Sequence, residues 1–334
     1  PVGTGPYEVS RFAPSEFVEL HVRDGYWGKP AAQDVTVRYF PDTISSVNAL
    51  QAGGVDVVWG VQNPELLDDV KEGIATEVGT TNGEVLLSMN NARAPFDDPR
   101  VRQAVAYAVD RSAANDILWN GMAKDTGGAP IPPTDPWFEG KHYYNYDPDK
   151  ARQLLTEAGA EGAEITLTTP TLPYAQTVAE LLYSQLTEVG FKVTLESAEF
   201  PAAWLGQVMG AKDYQMSLIS HVEPRDVPTL FGDPDYYLNY DSARTRELLA
   251  QADSAPEKDY PKLMAQAVDQ IMADAGALTL MNMPNIVLTR AGVRGVHPDQ
   301  VTDALILRDL TSADTDGDAD AKTTAAATTE KEAR

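Results

Sequence analysis

The chain has 334 residues, 50 of them acidic and 26 basic, for a formal charge of -24 at pH 7. Such a surplus repels phosphate backbones and anionic headgroups and excludes nucleic acid as a partner, and the absence of cysteine excludes disulfides, thiolate catalysis and Cys-based metal sites. The length exceeds the usual size of a single hydrophobic core, so two lobes are expected.

The start, "PVGTGPYEVS", has no initiating Met and neither the basic region nor the apolar core of a signal peptide, so the chain reads as cut from something longer. Three short alternating runs follow, "YEVSRF", "FVELHVR" and "DVTVRYF", which predict a β-meander. In "PDTISSVNALQAGGVDVVWG" the spacing puts Ile44, Val47 and Leu50 on one helical face, with Gly53 and Gly54 stopping the helix before a strand from Val55 to Trp59. Asn63 reads as an N-cap with Pro64 at the first helical position, and "EVLLSMN" as a strand.

The stretch "NNARAPFDDPRVRQAVAYAVDR" combines a loop with a capped helix. Asp97 or Asp98 can cap, Pro99 suits the first turn, and Val101, Ala104, Val105, Ala108 and Val109 form an apolar stripe. Residues 121 to 146 are rich in proline, glycine and aromatics, and their length predicts a crossover between lobes. "DPDKARQLLTEAG" is a further capped helix, and residues 164 to 198 give strand, helix and strand, a βαβ unit with parallel strands. A helix around "AAWLGQVMG" and a strand "YQMSLI" extend this α/β pattern.

Residues 220 to 241, "SHVEPRDVPTLFGDPDYYLNYD", follow the C-terminal end of that strand, where open α/β sheets tend to hold ligands. Two helices, at about 242 to 253 and 257 to 275, and strands "ALTLMN", "NIVLTR" and "ALILRDL" complete the ordered part. Residues 311 to 334 contain almost no large apolar side chain and predict a disordered acidic tail. Trp27, Trp59, Trp119, Trp137 and Trp204 are expected in the core or in lobe packing.

Catalytic constellations are missing. The four histidines, His21, His142, His221 and His297, show no pairing at metal-ligand spacing, and neither a phosphate-binding GK[ST] nor a GxSxG elbow occurs. Carboxylate pairs such as Asp97 with Asp98 read as helix caps, so binding without chemistry is favoured over an enzyme.

"GTGPY", "YWGKP", "ALQAGGVDVVWG", "PFDDPRVRQAVAYAVDR", "PIPP", "YDPDKARQLLTEAG" and "QLTEVGFKVTLES" occur here in the order seen in family 5 extracellular solute-binding proteins. The chain resembles these dipeptide-, oligopeptide- and nickel-binding components of ABC importers over residues 3 to 198, and less tightly to about 310. The resemblance implies an α/β fold of the two-lobe periplasmic-binding-protein type II class, here the C-terminal two-thirds, without the N-terminal part of lobe I and an extra subdomain. The implied organisation is residues 1–120 as the remainder of lobe I, 121–146 as the inter-lobe crossover, 147–241 as lobe II, 242–310 returning to lobe I, and 311–334 as the tail.

The implied function is capture of a short peptide or similar small solute and its delivery to an ABC permease by a monomer outside the cytoplasm, periplasmic or lipid-anchored. No cofactor and no resident metal are implied. A sensor or chaperone-like surface protein of the same fold and a nickel-chelate binder are the alternatives. Dipeptide-binding members carry an arginine and, two places later, a tyrosine in a loop after the first strand of lobe II; in "TPTLPYAQ" Tyr174 matches but Leu172 replaces the arginine. Those members also hold the ligand's amine with an aspartate shortly after a Gly-Trp pair. In "SHVEPRD", Ser220 and His221 replace that pair and either Glu223 or Asp226 supplies the acid. Arg225 offers a fixed cation for a carboxylate, and Tyr236, Tyr237 and Tyr240 offer flat amphipathic rings to line a cleft. The expected ligand-binding set is therefore Tyr174, Ser220, His221, Glu223, Arg225, Asp226 and Tyr240.

Overall fold

A computed structural model describes residues 3–299 and 305–312. The chain opens with strands β1 (Tyr7–Ala13), β2 (Phe17–Val22) and β3 (Val35–Arg38), helix α1 (Thr43–Gln51), strand β4 (Val57–Val58) and a 3-10 turn at Pro64–Asp69. Strand β5 (Ile74–Met89) leads to helices α2 (Pro99–Ala108), α3 (Arg111–Trp119) and α4 (Pro148–Ala158). Next come β6 (Glu164–Pro170), α5 (Pro173–Glu188), β7 (Lys192–Ala198), the single turn α6 (Ala202–Trp204) and β8 (Met216–His221). Helices α7 (Val227–Gly232), α8 (Ala243–Ser254) and α9 (Tyr260–Ala273) precede strands β9 (Ala277–Arg290), β10 (Val293–Arg294) and β11 (Thr311–Ser312). No helix among the described residues is long and apolar enough to cross a membrane.

Two compact units emerge. One joins the residues up to Gly79 to those from Asn285 onward, and the other runs from Thr80 to Pro284. The chain passes between them within β5 and within β9. Pro284 sits at the second passage inside a continuous strand, where the sequence reading placed a break between "ALTLMN" and "NIVLTR".

In the first unit the meander forms as expected, with β1, β2 and β3 pairing antiparallel in that order. The Asp42 side chain caps α1 by accepting from the Ser45 N–H at 2.7 Å. α1 packs on β4, which buries Val47 and Leu50 but leaves Ile44, in the first turn, 56% exposed. Trp27 is 83% exposed and belongs to no core. The expected strand over "ALILRDL" is absent from residues 305–310, because the carbonyls of Leu307 and Arg308 accept from the Tyr7 hydroxyl and the Ala32 N–H instead of from a ladder partner. Residues 311 and 312 form β11 and pair with β10, and the rest of the expected acidic tail lies outside the described residues.

The second unit is built on strands in the order β9-β5-β8-β6-β7. β6 pairs parallel to β7 and to β8, so the βαβ unit read from residues 164 to 198 is present with α5 as its crossover. β5 pairs antiparallel to β8, with Glu84 opposite His221 and Met89 opposite Met216. The expected helix around "AAWLGQVMG" starts as α6 and widens into a π turn at Leu205–Gly210, a stretch with two glycines that weakens regular helix.

The boundaries at residues 120 and 146 expected from the sequence differ from those found. α2 packs on α4 and α3 on α5, which places both helices in the second unit and not with the meander. Segment 121–146 starts and ends in that same unit and is pinned to it, so it does not act as a crossover between the two compact units. Arg111 grips Asp125 with two guanidinium nitrogens at 2.9 and 3.2 Å and donates to the Tyr144 carbonyl at 2.7 Å. Tyr143 and Lys141 both reach Asp269 on α9.

The capped helix α2 carries more than its apolar stripe. Asp98 is the N-cap, accepting from the Arg100 N–H at 2.8 Å, and Val101, Ala104, Val105, Ala108 and Val109 are all buried. Arg102, which falls outside that stripe, is only 6% exposed. Its guanidinium donates to the carbonyls of Phe96 at 2.6 Å, Asp274 at 2.7 Å and Ala275 at 3.1 Å. The last two carbonyls lie just beyond the C-terminus of α9, where backbone acceptors lack helical donors and the helix dipole favours a cation. Replacing Arg102 by alanine leaves two buried carbonyls and one part-buried carbonyl without their donor, and we expect a loss of about 3 kcal/mol or more. Urea unfolding of Arg102→Ala and Arg102→Lys measures this; the lysine, a point donor that cannot span three carbonyls, recovers only part of it.

Candidate functional site

The C-terminal end of β8 runs into the loop Ser220–Asp226, and this loop gathers most of the expected site residues within the second unit. The Ser220 N–H donates to the Tyr174 hydroxyl oxygen at 2.8 Å, which brings the N-terminus of α5 to the end of β8. Tyr174 is half-buried, and that burial raises the pKa of its phenol. Beside it, the Ser220 hydroxyl lies 3.0 Å from the Met283 sulfur.

His221 is buried, held through Nε2 and facing two carboxylates with Nδ1. Its Nε2 is 2.9 Å from the Tyr237 hydroxyl, which is itself 2.9 Å from Ser88 Oγ, and the His221 and Tyr237 rings stack at 5.9 Å. Nδ1 faces the two acids that the sequence could not choose between, Asp226 at 3.3 Å and Glu223 at 3.9 Å. The side chain of Asp226 is 14% exposed and that of Glu223, which accepts from the Val222 N–H at 3.1 Å, is 65% exposed, so the two are not equivalent.

Arg225 lies outside this cluster. It is exposed, adopts φ +58°, and places its guanidinium over the Trp137 ring at 5.7 Å. Its positive charge acts on Asp135, lowering that carboxyl's pKa against the larger opposite effect of burial. The left-handed backbone at a non-glycine residue turns the side chain of Arg225 away from its neighbours Glu223 and Asp226 and toward the pinned segment.

Tyr240 is placed elsewhere. It is 3% exposed, packs edge-on against Phe231 at 5.6 Å, and uses its hydroxyl on Asp274 Oδ2 at 2.7 Å and Thr245 Oγ1 at 2.8 Å. A ring buried on all sides with its hydroxyl already bonded twice is core, which corrects the expectation that it lines the ligand site. Tyr237 is the tyrosine of that run that reaches His221.

Two acids escaped the sequence reading. Glu84 lies opposite His221 in the β5·β8 register and is 5% exposed. Burial, reinforced by the charges of Asp135 and Asp226, holds its carboxyl well above the usual carboxylate range. Asp135, in the pinned segment, has a buried Oδ2 without a hydrogen-bond partner among the described residues, and burial pushes its pKa up to about 6. The signal for Glu84 was present, since it is the one acid in the otherwise apolar and small-residue run "EVLLSMN". Asp135 in "PPTDPW" gave none, because an aspartate between prolines reads as turn chemistry. Glu223 and Asp226 are thus the acids that face His221, while burial keeps the Glu84 carboxyl toward its neutral form.

The raised Asp135 pKa has a defined consequence for stability. The folded state holds its proton more tightly than the unfolded chain, whose value is near 3.8, so stability falls as pH rises from about 4 to about 6 and is flat above. Asp135→Asn removes this penalty. Its melting temperature relative to the parent protein is expected to rise between pH 4 and pH 6 and then level off, as read by differential scanning calorimetry.

The bacterial extracellular solute-binding proteins, family 5 (middle region), match residues 1–246 of this chain. The glutathione-binding protein GsiB of Escherichia coli (strain K12) is 32% identical over 205 residues, which cover 60% of this chain and 40% of that protein. The chain thus spans well under two thirds of the length of the curated relatives it matches. Among solved structures, the periplasmic binding protein DppA of Helicobacter pylori in complex with the peptide STSA superimposes with a TM-score of 0.74 at 24% identity, covering 93% of this chain and 63% of that one. NikA of Brucella suis in complex with Fe(III)-EDTA gives a TM-score of 0.77 at 21% identity, covering 93% and 68%. These likenesses establish the type II periplasmic-binding-protein fold. With the family match extending over residues 1–246, the chain belongs to the family 5 bacterial extracellular solute-binding proteins.

Proposed function

We propose that this chain is the substrate-binding part of an ABC importer that works outside the cytoplasm, captures a short peptide or similar zwitterionic solute, and hands it to a membrane permease without chemical turnover. The observation that carries this reading is the separation of charges around the end of β8. Acids gather at His221, whereas Arg225 stands apart over Trp137. A zwitterion has the same layout, an ammonium group at one end and a carboxylate at the other. Asp226 supplies the buried acid for the ammonium, with Glu223 as a second acid, and Arg225 replaces the carboxylate-gripping arginine whose expected place is taken by Leu172.

Capture by closure of two lobes is the mode that the family implies. The relatives named for glutathione and for peptide favour the same solute class. On the protein at its full natural length, a ligand is expected to reduce the radius of gyration in small-angle X-ray scattering. Indifference to a peptide library, oligosaccharides and nickel chelates alike contradicts the reading.

The role of Arg225 has its own test. Arg225→Ala is expected to weaken binding of a free-acid peptide by about ten- to a hundredfold, since hydrogen bonds to charged groups are worth about 1.5–3 kcal/mol. The same peptide carrying a C-terminal amide should bind both proteins with nearly equal affinity in isothermal titration calorimetry.

A further inference from the structure

We infer that His221, Glu223 and Asp226 form a binding site for a divalent first-row transition metal ion, with His221 Nδ1 and one oxygen from each carboxylate as ligands. These three donor atoms lie within 4.8 Å of one another. Zinc holds nitrogen and oxygen ligands at about 2.0–2.2 Å, so donors around one tetrahedral ion stand about 3.4 Å apart. His221 Nδ1 and Asp226 Oδ2 are already at 3.3 Å, and Glu223 Oε2 at 3.9 Å from Nδ1 needs only a small movement of an exposed side chain.

The partner on the far side of the ring strengthens the assignment. Metal-bound histidine usually donates its second N–H to a fixed acceptor, which sets the tautomer and the ring orientation. Here Nε2 meets the Tyr237 hydroxyl at 2.9 Å, and Ser88 fixes that hydroxyl in turn. With the Nε2 proton donated to Tyr237, Nδ1 presents its lone pair to the space between the two carboxylates. Arg225, one residue from Asp226 in sequence, has its guanidinium over the Trp137 ring at 5.7 Å and not on the two ligand carboxylates. One imidazole with two carboxylates selects zinc or nickel over calcium or magnesium, which prefer oxygen donors alone. Three protein ligands leave at least one coordination position open, so the ion is exchangeable and can take a ligand of its own. The site shares Glu223 and Asp226 with the zwitterion reading, so a bound ion and an ammonium group compete for the same carboxylates, and the ion is tested without peptide.

The experiment is calorimetric titration of chelator-stripped protein with zinc chloride, repeated with nickel chloride, in the presence of excess calcium. One zinc ion per chain is expected, undisturbed by calcium. Glu223→Gln, on an exposed side chain whose amide oxygen can still accept from the Val222 N–H, should weaken zinc binding by at least tenfold. Tyr237→Phe should weaken it by about ten- to a hundredfold through the orientation of His221. Cobalt substitution gives a second readout, a visible absorption band that disappears in His221→Gln. No zinc uptake, displacement by calcium, or equal affinity in Glu223→Gln and the parent protein overturns the proposal. Peptide titrations in EDTA report on the zwitterion reading separately, so the two can fail independently.

Discussion

Much of the second unit turns on the Tyr237 hydroxyl. It is fully buried, and a buried phenol must find partners or lose the free energy of the bonds it made in water. Here it finds two, Ser88 on β5 and His221 at the end of β8, and so joins adjacent antiparallel strands through a third segment of chain. The Tyr237 carbonyl accepts in turn from the Tyr214 hydroxyl at 2.9 Å, just ahead of β8. This line of polar contacts fixes the orientation of a histidine that otherwise has no reason to sit buried among apolar strands. Both proposed ligands of the site, an ammonium group or a metal ion, depend on His221 being held at Nε2 while Nδ1 faces Asp226 and Glu223.

The same logic, polar groups placed where backbone or side chains lack partners, governs the stretch from Asn90 to Arg111. Asn91 donates through one amide nitrogen to the carbonyls of Met89, Leu238 and Gly276 at 2.8 to 3.1 Å. Arg102 serves Phe96 and the end of α9. Phe96 itself is fully buried. The loop and the helix after it are therefore specified by what they hold together at long range in sequence. Asp98 remains what helix physics makes of it, a cap.

Electrostatics divides the site into two regions. Burial raises the pKa values of Glu84 and Asp135, a disposition that costs stability where they ionise. Arg225, one residue from Asp226 in sequence, is turned away by a left-handed backbone and rests on an aromatic face. A single loop of seven residues thus offers opposite charges in different directions. That layout is the one the proposed zwitterion reading uses.

The sequence alone determined the local elements wherever their signals are short-range: the meander, the Asp98 cap, the apolar stripe of α2, and the βαβ unit with its parallel strands. Its motifs also carried the family, and the position of the loop after β8 marked that segment as the candidate site. Tertiary structure decided what depends on contacts between distant residues. The role of Arg102 was not legible because its three acceptors lie in backbone that only folding brings near. Assignment of segment 121–146 to one unit depended on Arg111 and Asp269 gripping it from elsewhere in the chain. Tyr237 and Tyr240 are three residues apart and look interchangeable in sequence, yet one reaches His221 and the other is sealed against Phe231. Which of two similar side chains faces the site is a matter of packing, and packing is fixed only when the strands and helices around it are assembled.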